Sequence, residues 1–354
     1  MATPERSVLH VLPHPGGGGE TYVDLLDAMP GYRFTRVYLA PSPRLSLRLG
    51  SGLIDVARRS RRHDLVHVHG EVAAGLCLPV LATRPSIVTL HGLHLVRRLS
   101  GLPRRAATRN LRVVVRAADR TICVSETESA ELRKVVGPRA RDDVVVVRNG
   151  VRLPVREEPA VRLEVREELG LSETEPVGIW VGSLDDRKDP LVAVRAAEQA
   201  SVPLLIVGDG PLRPQVEARV REHARVLGPR SDVSRLLAAA DFFVLTSRRE
   251  GLPFSLLEAM ARGLPSVVTE TAENAEAVGD TGITAPLGDQ EALVAALRRL
   301  AADEDEDERM ELGARARRRV AELFDAEEMV RRTHAVYDEV LASRPARRRP
   351  YPAP

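Results

Sequence analysis

The sequence is poor in cysteine and has no apolar run long enough to cross a membrane. Its two cysteines, Cys77 and Cys123, lie in apolar contexts without metal-ligand spacing, so we interpret them as buried, reduced thiols. Residues 1–6 lead into a strand-like segment and lack the apolar core of a signal peptide. These absences argue against a disulfide-rich secreted domain and a membrane-spanning protein. We therefore expect a cytoplasmic protein.

Lysine is also scarce, and charge is unevenly divided. Lys134 and Lys188 are the two lysines among 52 basic residues, and all the others are arginine. In such a chain, a lysine in a predicted loop raises the question of a specific point-charge role. Residues 1–150 hold 23 basic and 13 acidic residues, whereas the remainder holds 29 and 37. The front half is therefore basic and the back half acidic.

Short β-rich runs alternate with longer amphipathic stretches, which is typical of strand–helix–strand units around a parallel sheet. A chain of 354 residues is longer than one hydrophobic core usually supports, so we expect two α/β domains. The first series of predicted strands comprises 7–12, 35–39, 64–68, 86–90, 120–124 and 143–147. The second comprises 176–181, 203–207, 224–227, 241–245 and 265–268, with 282–285 as a further candidate.

The domain boundaries follow from turn signals and charge. We predict a first domain over 1–153, a charged connection through residue 168, and a second domain over 170–325. A last amphipathic helix at about 326–342 is expected to cross back onto the first domain. Two further segments read as solvated or disordered, the acidic run 303–308 and the Arg- and Pro-rich tail 343–354.

In the first domain, glycines and histidines follow predicted strands. Residues 16–19 are four glycines before a helical stretch, where Gly17 and Gly18 fit either an anion- or acceptor-binding loop or a merely flexible one. His69 and His91 each follow a strand, at the edge where doubly wound sheets bind ligands. We favour a hydrogen-bonded structural role for His69. For His91, structural and catalytic roles both stay open.

In the second domain, Lys188 lies in the loop after the strand that ends at Val181. There it could stabilise charge on a leaving diphosphate, although a solvent-exposed loop lysine is the simpler alternative. The next two strands end in tight turns at Gly208 and at Pro229-Arg230. These turns read either as structural punctuation or as openings along one ligand-binding edge.

The segment 247–263 carries the most information. It reads as a strand end, a loop with Glu250, and a helix that begins near 253–255, contains Glu258 and stops at Gly263. Free amides in the first turn would bind phosphate oxygens, and the two carboxylates would accept hydrogen bonds from hydroxyls. A capping box formed by Ser255 and Glu258 is the structural alternative.

Taken together, these motifs resemble glycosyltransferase family 4, the retaining GT-B enzymes, whose E-x7-E motif is matched by Glu250 and Glu258. The resemblance implies two Rossmann-like doubly wound domains facing across a cleft, a nucleoside-diphosphate sugar donor and an acceptor on the first domain. It covers nearly the whole chain through the segments 16–19, 91–92, 123–126, 148–151, 182–188, 208–211 and 250–263.

The resemblance also implies residue roles. Glu250 would contact the donor sugar, Lys188 the diphosphate and His91 the transferred sugar, which makes these three the catalytic candidates. Glu258 would bind the ribose, and Pro229 and Arg230 would lie by the base. The implied donor-binding residues are Gly17, Gly18, Ser183, Arg187, Gly208, Pro229, Arg230, Leu252, Pro253, Phe254, Ser255 and Glu258.

One position departs from the family pattern. The family commonly has an arginine directly after the glycine matched by Gly182, where this chain has Ser183. Loss of that guanidinium would cost about 2–4 kcal/mol of transition-state stabilisation unless another group, such as Arg187, replaces it. An inactive sugar-nucleotide-binding or partner subunit is therefore one alternative, and another GT-B activity such as an epimerase or a phosphorylase is a second.

The resemblance implies no cofactor and no metal, and the chain has no D-x-D triplet at a suitable strand end. It implies front-face substitution, in which the donor phosphate helps to deprotonate the acceptor hydroxyl. A small-molecule, glycan or lipid-linked acceptor would fit, and we expect no nucleic-acid partner. The Arg-rich segment 97–116 suggests either a peripheral contact with anionic lipid at the inner face of the membrane or a solvated helix face.

Overall fold

The computed structural model describes residues 5–27, 29–40, 49–137, 143–154, 159–302 and 306–343. The predicted tail from residue 344 onward and residues 303–305 of the acidic run lie outside these ranges. The chain divides into two compact units. The first unit comprises residues 1–149 and 326–354, and the second comprises 150–325.

The first unit is built on a six-stranded parallel sheet with strand order β2-β1-β3-β4-β5-β6. Its strands are β1 Arg6–Leu12, β2 Tyr32–Tyr38, β3 Leu65–His69, β4 Ser86–Thr89, β5 Arg120–Cys123 and β6 Val144–Val146. Its helices are α1 Gly18–Leu26, α2 Leu49–Ser60, α3 Glu71–Leu76, α4 Leu78–Leu81, α5 His94–Arg98, α6 Gly101–Ala117, α7 Glu126–Val136 and α16 Ala326–Ser343.

The two faces of this sheet differ because side chains alternate along each strand. Leu9 and Val11 of β1 and Val66 and Val68 of β3 join a large aliphatic core, whereas the residues that alternate with them include the histidines at positions 10, 67 and 69. Tyr22 of α1 and Tyr337 of α16 lie against the histidine face, with their ring centroids 5.4–6.2 Å from those of the neighbouring histidines. We call this buried face the histidine layer; its rings are His10, His67, His69, His91, Tyr22 and Tyr337.

The second unit has a second six-stranded parallel sheet, with order β12-β11-β10-β7-β8-β9. Its strands are β7 Gly178–Val181, β8 Leu204–Val207, β9 Ala224–Gly228, β10 Phe242–Leu245, β11 Ser266–Thr269 and β12 Ile283–Ala285. Its helices are α8 Pro159–Glu168, α9 Pro190–Ala200, α10 Arg213–Glu217, α11 Val233–Ala239, α12 Phe254–Ala261, α13 Ala272–Val278, α14 Gln290–Ala301 and α15 Glu306–Leu323.

All twelve predicted strands are present, including the candidate at 282–285, and the predicted last helix is α16. Helix α16 packs in the first unit, where Tyr337 Oη lies 2.7 Å from His67 Nδ1 and Tyr22 Oη lies 2.9 Å from Thr333 Oγ1. The fold is therefore GT-B, as two parallel α/β sheets with this returning helix indicate. Within the described residues, no helix combines the length and hydropathy that crossing a bilayer requires.

The predicted charged connection through residue 168 is partly wrong. Residues 159–168 form α8 in the second unit, and the side chain of Arg166 is fully buried. Its guanidinium lies 2.5 Å from Asp241 Oδ2 and donates to the carbonyl groups of Ala239 and Ser172. A buried charge is tolerated there because an opposite charge and backbone acceptors surround it.

Candidate active site

Lys188 and Glu250 form a buried ion pair in the second unit. Lys188 follows β7 and Glu250 follows β10, and these two strands are neighbours in the sheet. Lys188 Nζ lies 2.5 Å from Glu250 Oε1, and the two residues are 8% and 3% exposed. Arg187 Nη1 lies 3.6 Å from the other oxygen, Oε2. Two cations thus converge on one buried carboxylate at the carboxyl ends of parallel strands.

The loop that carries Lys188 is fixed by hydrogen bonds. The carboxylate of Asp185 accepts from the backbone amides of Arg187 and Lys188, at 3.0 and 2.9 Å. Thr246 Oγ1, at the end of β10, donates to the carbonyl of Asp189 at 2.9 Å. Since both ends of the loop are held, the ammonium group is positioned before any ligand binds.

Glycines bring the strand ends of this sheet close together. Gly208, at φ +141°, approaches the carbonyl of Gly182 so closely that a Cβ there would lie 1.9 Å from that oxygen. A Cβ at Gly182 would in turn contact the aliphatic stem of Lys188 at 3.6 Å. Glycine is therefore required at position 208 by the close packing against Gly182, whether or not a ligand binds there.

The electrostatics of the pair follow from its burial. Burial lowers the pKa of Lys188, and the charge of Glu250 opposes that effect without cancelling it. For Glu250, burial alone would raise the pKa, but the charges of Lys188 and Arg187 outweigh burial and lower it. Glu250 is therefore an anion at neutral pH, held by two cations.

Helix α12 begins at Phe254, and the capping-box alternative for Ser255 and Glu258 is wrong. Pro253 occupies the N-cap position, no side chain caps the helix, and Ser255 is its second residue. A Ser must precede the first helical residue to act as an N-cap, and Ser255 lies two positions after the N-cap residue, Pro253. Within the described structure, the first amides of α12 thus have no side-chain acceptor, and a phosphate oxygen could take that place.

Glu258 lies in α12 and is half-buried. Burial raises the pKa of its carboxyl, and Arg262 opposes this. Among the residues that the structure describes, no side chain or amide donates a hydrogen bond to this carboxylate. Its oxygens are free to accept hydrogen bonds from a ligand.

The other predicted donor-binding residues of the second unit are divided between the surface and the interior. Ser183, Pro229 and Arg230 are exposed, and Leu252 and Phe254 are buried. The guanidinium of Arg230 forms two hydrogen bonds with the carboxylate of Asp232, at 2.7 and 2.6 Å. This pairing is local and leaves the exposed face of Pro229 and Arg230 open.

In the first unit, His91 and the glycine loop lie at the same edge of the sheet. Gly17 has φ +81°, and α1 begins at Gly18, two residues earlier than the predicted start at Glu20. A Cβ on Gly19 would lie 3.7 Å from His91 Nε2, an ordinary van der Waals distance, so the glycine loop adjoins the imidazole. His69 is hydrogen-bonded through both ring nitrogens, to His10 and to His91, as expected for the structural role that we favour for it.

Four polar residues around His91 were not predicted. His10 and His67 lie inside β1 and β3, and the alternation Val-His-Val-His in β3 is the sequence signal that would have found the latter. Glu128 accepts from the amide of Gly92 at 2.5 Å, and Glu71 accepts from that of Leu95 at 2.7 Å. Burial raises the pKa of each of these two carboxyls to about 7. They hold the loop that follows His91.

The Arg-rich segment forms α5 and α6. Helix α6 contains five arginines and no acidic residue, and all five are exposed. Arg97 of α5 is paired with Glu131, so it belongs to the internal structure of the unit. The exposed arginines form a basic helix face, which we call the α6 face: Arg104, Arg105, Arg109, Arg112 and Arg116.

Comparison with known proteins gives two family matches. Residues 8–153 match the family model described as Glycosyltransferase Family 4, and residues 175–303 match the model described as Glycosyl transferases group 1. Among curated relatives, the N-acetyl-alpha-D-glucosaminyl L-malate synthase of Bacillus anthracis is 29% identical over 316 residues. That alignment covers 84% of this chain and 80% of the relative.

Solved structures share the fold. Sucrose-phosphate synthase from Thermosynechococcus elongatus superimposes with a TM-score of 0.80 at 21% identity, covering 96% of this chain and all of that one. Anabaena HepE in complex with UDP-glucose superimposes with a TM-score of 0.76 at 19% identity, covering 95% of this chain and 100% of HepE. At such identities the likeness concerns the fold alone.

Proposed function

Since the chain belongs to glycosyltransferase family 4 and is a glycosyltransferase, we propose that it transfers a sugar from a nucleoside-diphosphate donor to a hydroxyl acceptor with retention of configuration. The observation that carries the proposal is the convergence of Lys188 and Arg187 on Glu250. This cluster lies four residues before the uncapped start of α12. Cations and free amides there suit a pyrophosphate, and the carboxylate suits sugar hydroxyls.

The donor diphosphate would bind between Lys188, Arg187 and the first amides of α12. Without a ligand, both cations face Glu250. With a donor bound, phosphate oxygens would share the cations, and sugar hydroxyls would donate to the Glu250 carboxylate. The lowered pKa of Glu250 supports this role, because an ionised carboxylate accepts hydrogen bonds through both oxygens, whereas a protonated one carries a donor on one of them.

Glu258 would bind the ribose of the nucleotide. Its half-buried carboxylate accepts no hydrogen bond from the described residues, and ribose hydroxyls would supply two donors. Pro229 and Arg230, exposed after β9, would lie by the base.

Arg187 would replace the guanidinium that the family carries at the position of Ser183. Ser183 is exposed, whereas Arg187 already reaches Oε2 of Glu250 at 3.6 Å. Two cations at the leaving group would stabilise the charge that develops there. The proposal includes no metal ion, because the two cations and the amides would stabilise the charge that develops on the leaving group.

The chemistry would be front-face substitution. The bond from the sugar to the leaving phosphate breaks as the acceptor oxygen bonds the same carbon, and the leaving phosphate takes the acceptor proton. The protein would supply position and charge stabilisation, and His91 would contact the transferred sugar. Retention of configuration follows because entry and departure share one face of the sugar ring.

The first experiment identifies the donor and then tests the pair. Thermal shift with UDP-, GDP- and ADP-linked sugars identifies the base and sugar, and transfer is then followed with that donor. We expect Glu250→Gln and Lys188→Ala each to lower kcat by about 10²–10³-fold. Lys134→Ala, at the other lysine of the chain, and Glu270→Gln, at an exposed glutamate, serve as matched controls. Unchanged rates in both pair variants would show that the site is elsewhere.

Ser183 motivates one second candidate, an inactive sugar-nucleotide-binding subunit. In that case calorimetry detects donor binding, but no acceptor panel gives transfer and Ser183→Arg does not restore it. Transfer by the unmodified protein excludes this candidate. Incubation with the donor alone separates an epimerase, since an epimerase changes the sugar without an acceptor.

A contact with anionic lipid at the inner face of the membrane would suit a lipid-linked acceptor. The α6 face supports it, since α6 has five exposed arginines, no acidic residue and two exposed apolar side chains, Leu102 and Val113. Cosedimentation with vesicles of anionic and of neutral lipid at low salt tests it. Retention on anionic vesicles that Arg104→Glu/Arg109→Glu abolishes would support the contact, and equal recovery in both supernatants would reject it.

A further inference from the structure

Three histidines of the histidine layer form a chain that ends at His91. His10 Nδ1 lies 2.9 Å from His69 Nε2, and His69 Nδ1 lies 3.0 Å from His91 Nε2. The consecutive rings are nearly parallel, with interplanar angles of 26° and 20°. The chain therefore runs from the interior of β1, past the end of β3, to the residue just after β4.

All three rings are neutral at neutral pH. His10 and His69 are fully inaccessible, and burial lowers the pKa of each well below its ordinary value. Burial also lowers the pKa of His91, to about 3. A neutral imidazole carries one N–H and one bare nitrogen, so each ring donates once and accepts once.

Only two proton arrangements satisfy both contacts. In the first, every ring carries its proton on Nδ1, so His10 donates to His69 and His69 donates to His91. In the second, every ring carries its proton on Nε2, and the donation runs the opposite way. The tautomers of the three residues are thus coupled, because a mixed arrangement would place two protons or two lone pairs in one contact.

The two ends of the chain decide between the arrangements. Within the described residues, His10 Nε2 and His91 Nδ1 are buried and have no hydrogen-bond partner. The first arrangement leaves a bare nitrogen at His10 and an N–H at His91, and the second does the reverse. A buried N–H without an acceptor is rarer in proteins than an under-used acceptor. His10 is sealed inside the sheet, whereas His91 lies half-buried at the ligand edge.

We propose that His10 and His69 are positioning residues that hold His91 in its Nδ1–H tautomer, so that His91 donates a hydrogen bond to an oxygen of the bound substrate. The contact with substrate rests on the proposed function, but the tautomer does not. His67 lies outside the chain because its two ring nitrogens are bonded to Tyr337 Oη and Thr89 Oγ1, at 2.7 and 2.6 Å.

This assignment gives His91 a definite chemical role. Its Nδ1 already carries a proton and its Nε2 faces His69, so neither nitrogen is free to act as a general base. Its neutral N–H adds a hydrogen-bond donor without adding a positive charge. His91 then recognises an oxygen acceptor, and proton removal from the incoming hydroxyl falls to another group.

Nitrogen-15 NMR of the histidine rings in the intact protein tests the tautomer directly. Protonated and bare ring nitrogens differ in chemical shift, and the long-range couplings to the ring protons assign each one. In the wild type at neutral pH, without ligand, we expect Nδ1 of His10, His69 and His91 to be protonated. Protonation of Nε2 in His91 would overturn the proposal.

Two substitutions at His10, the end of the histidine chain away from His91, test the coupling. The amide nitrogen of asparagine is the same number of bonds from the backbone as Nδ1 of histidine, so His10→Asn keeps a donor to His69. His10→Leu removes that donor, and we expect part of the His91 population to shift to the Nε2–H tautomer. An unchanged His91 tautomer in His10→Leu would overturn the coupling. If His10→Leu does not fold, the wild-type spectrum alone decides the tautomer.

Kinetics provide the functional readout. Loss of one neutral hydrogen bond corresponds to about a two- to tenfold lower kcat/KM in His10→Leu, with His10→Asn retaining the wild-type value. Equal losses in both variants would mean that His10 acts through packing, and so would overturn the positioning role. A failed transfer assay refutes the proposed function, whereas the NMR result stands without it.

Metal analysis of the purified protein tests whether a metal ion occupies the histidine nitrogens. Ligand nitrogens of His10, His67 and His69 lie within 4.8 Å of one another, so a metal ion is the competing occupant. Less than one-tenth of an equivalent of zinc or nickel per chain, after purification without an affinity tag, supports the hydrogen-bonded chain. A stoichiometric, chelator-removable metal would overturn it, because the same nitrogens would then be ligands.

Discussion

The two units bury polar groups near the ends of parallel strands in opposite ways. In the first unit, the histidine layer is neutral, since burial lowers the pKa of its imidazoles far enough to remove their charge. In the second unit, Lys188 and Glu250 keep opposite charges and neutralise each other at 2.5 Å. Both arrangements avoid an isolated buried charge, which a protein interior does not tolerate.

The difference determines what each unit can do at its strand ends. Hydrogen bonds between neutral imidazoles are directional, because each contact has one donor and one acceptor, but neutral rings produce only a weak electric field. A charge pair gives a strong local field that an anionic ligand can redirect. Directional contacts therefore suit recognition by the first unit, and fixed cations suit a diphosphate in the second.

The largest expected effect comes from breaking the ion pair. Lys188→Met removes the nearer cation from the buried Glu250 and leaves the guanidinium of Arg187, 3.6 Å away. We expect about 3 kcal/mol of lost stability, at the low end for broken buried pairs. The double variant Lys188→Met/Glu250→Leu removes both charges and should recover most of the loss. Trp180, the single tryptophan of the chain, is buried in the second unit, so its fluorescence during urea denaturation reports this transition.

Lys134→Met is the matched control, and we expect a change within about 0.5 kcal/mol, as for a surface position. If the stability lost in Lys188→Met/Glu250→Leu equals the sum of the losses in Lys188→Met and Glu250→Leu, the two charges do not depend on each other. The contrast between the two units would then fail, since the second would lose its interdependent pair.

Sequence predicted the fold well because strand runs and turns are local signals. Each predicted strand lies between breakers, and ends such as Gly182 and Gly208 are visible in the chain. The pairing of Lys188 with Glu250 was also foreseeable, since adjacent parallel strands end at one edge. Their mutual distance was not, because it depends on the loop held by Asp185 and Thr246.

The features that the sequence did not reveal depend on contacts between residues that are far apart in the sequence. Arg166 lies in a charged stretch, and its burial follows from Asp241, 75 residues away. His10 reads as an ordinary strand residue until β3 places His69 beside it. Ser255 and Glu258 fit the capping pattern locally, but the backbone begins the helix at Phe254 and places Ser255 inside.

The histidine layer should respond less strongly than the ion pair. Tyr337→Phe removes the hydroxyl 2.7 Å from His67 Nδ1 and leaves that nitrogen buried without its partner. We expect about 1–3 kcal/mol of lost stability. Cys77 and Cys123 are buried, free thiols of the first unit, so their labelling during urea denaturation reports its opening.

Tyr38→Phe provides the comparison within the same unit, because Tyr38 is only half-buried and bonds Glu20 near the surface. We expect it to cost less than Tyr337→Phe. Equal costs would indicate that the hydroxyl of Tyr337 contributes no more than a surface hydroxyl, and the layer would then be held by packing.

A third prediction concerns pH and the carboxyls behind His91. Burial raises the pKa of Glu71 from 4.5 to about 7, and one of its oxygens has no partner among the described residues. Between these two pH values the folded chain holds a proton that the unfolded chain has released, so wild-type stability falls as pH rises. Glu71→Gln keeps an acceptor for the amide of Leu95 and removes this loss.

We therefore expect Glu71→Gln to match the wild type near pH 5 and to exceed it by about 1–2 kcal/mol at pH 8. Urea midpoints at the two pH values, read by thiol labelling against the unfolded chain at the same pH, measure the difference. Glu270→Gln, at an exposed glutamate of the second unit, should show no such divergence. Parallel pH profiles for Glu71→Gln and the wild type would contradict the assignment.

The smallest effect compares how the two units end a helix. In the first unit, Gly137, with φ +81°, follows the last residue of α7, whereas in the second unit Ser201, with φ +57°, follows the last residue of α9. A left-handed backbone costs a residue with a Cβ about 1 kcal/mol more than glycine. Ser201→Gly should therefore stabilise the second unit by about 0.5–1 kcal/mol, measured by Trp180 fluorescence. Gly137→Ser should destabilise the first by at least as much, because φ +81° with ψ −179° is a backbone conformation essentially confined to glycine. Ser201→Ala, which keeps the Cβ, should leave stability unchanged, and a gain equal to that of Ser201→Gly would locate the effect in the hydroxyl and not in the backbone.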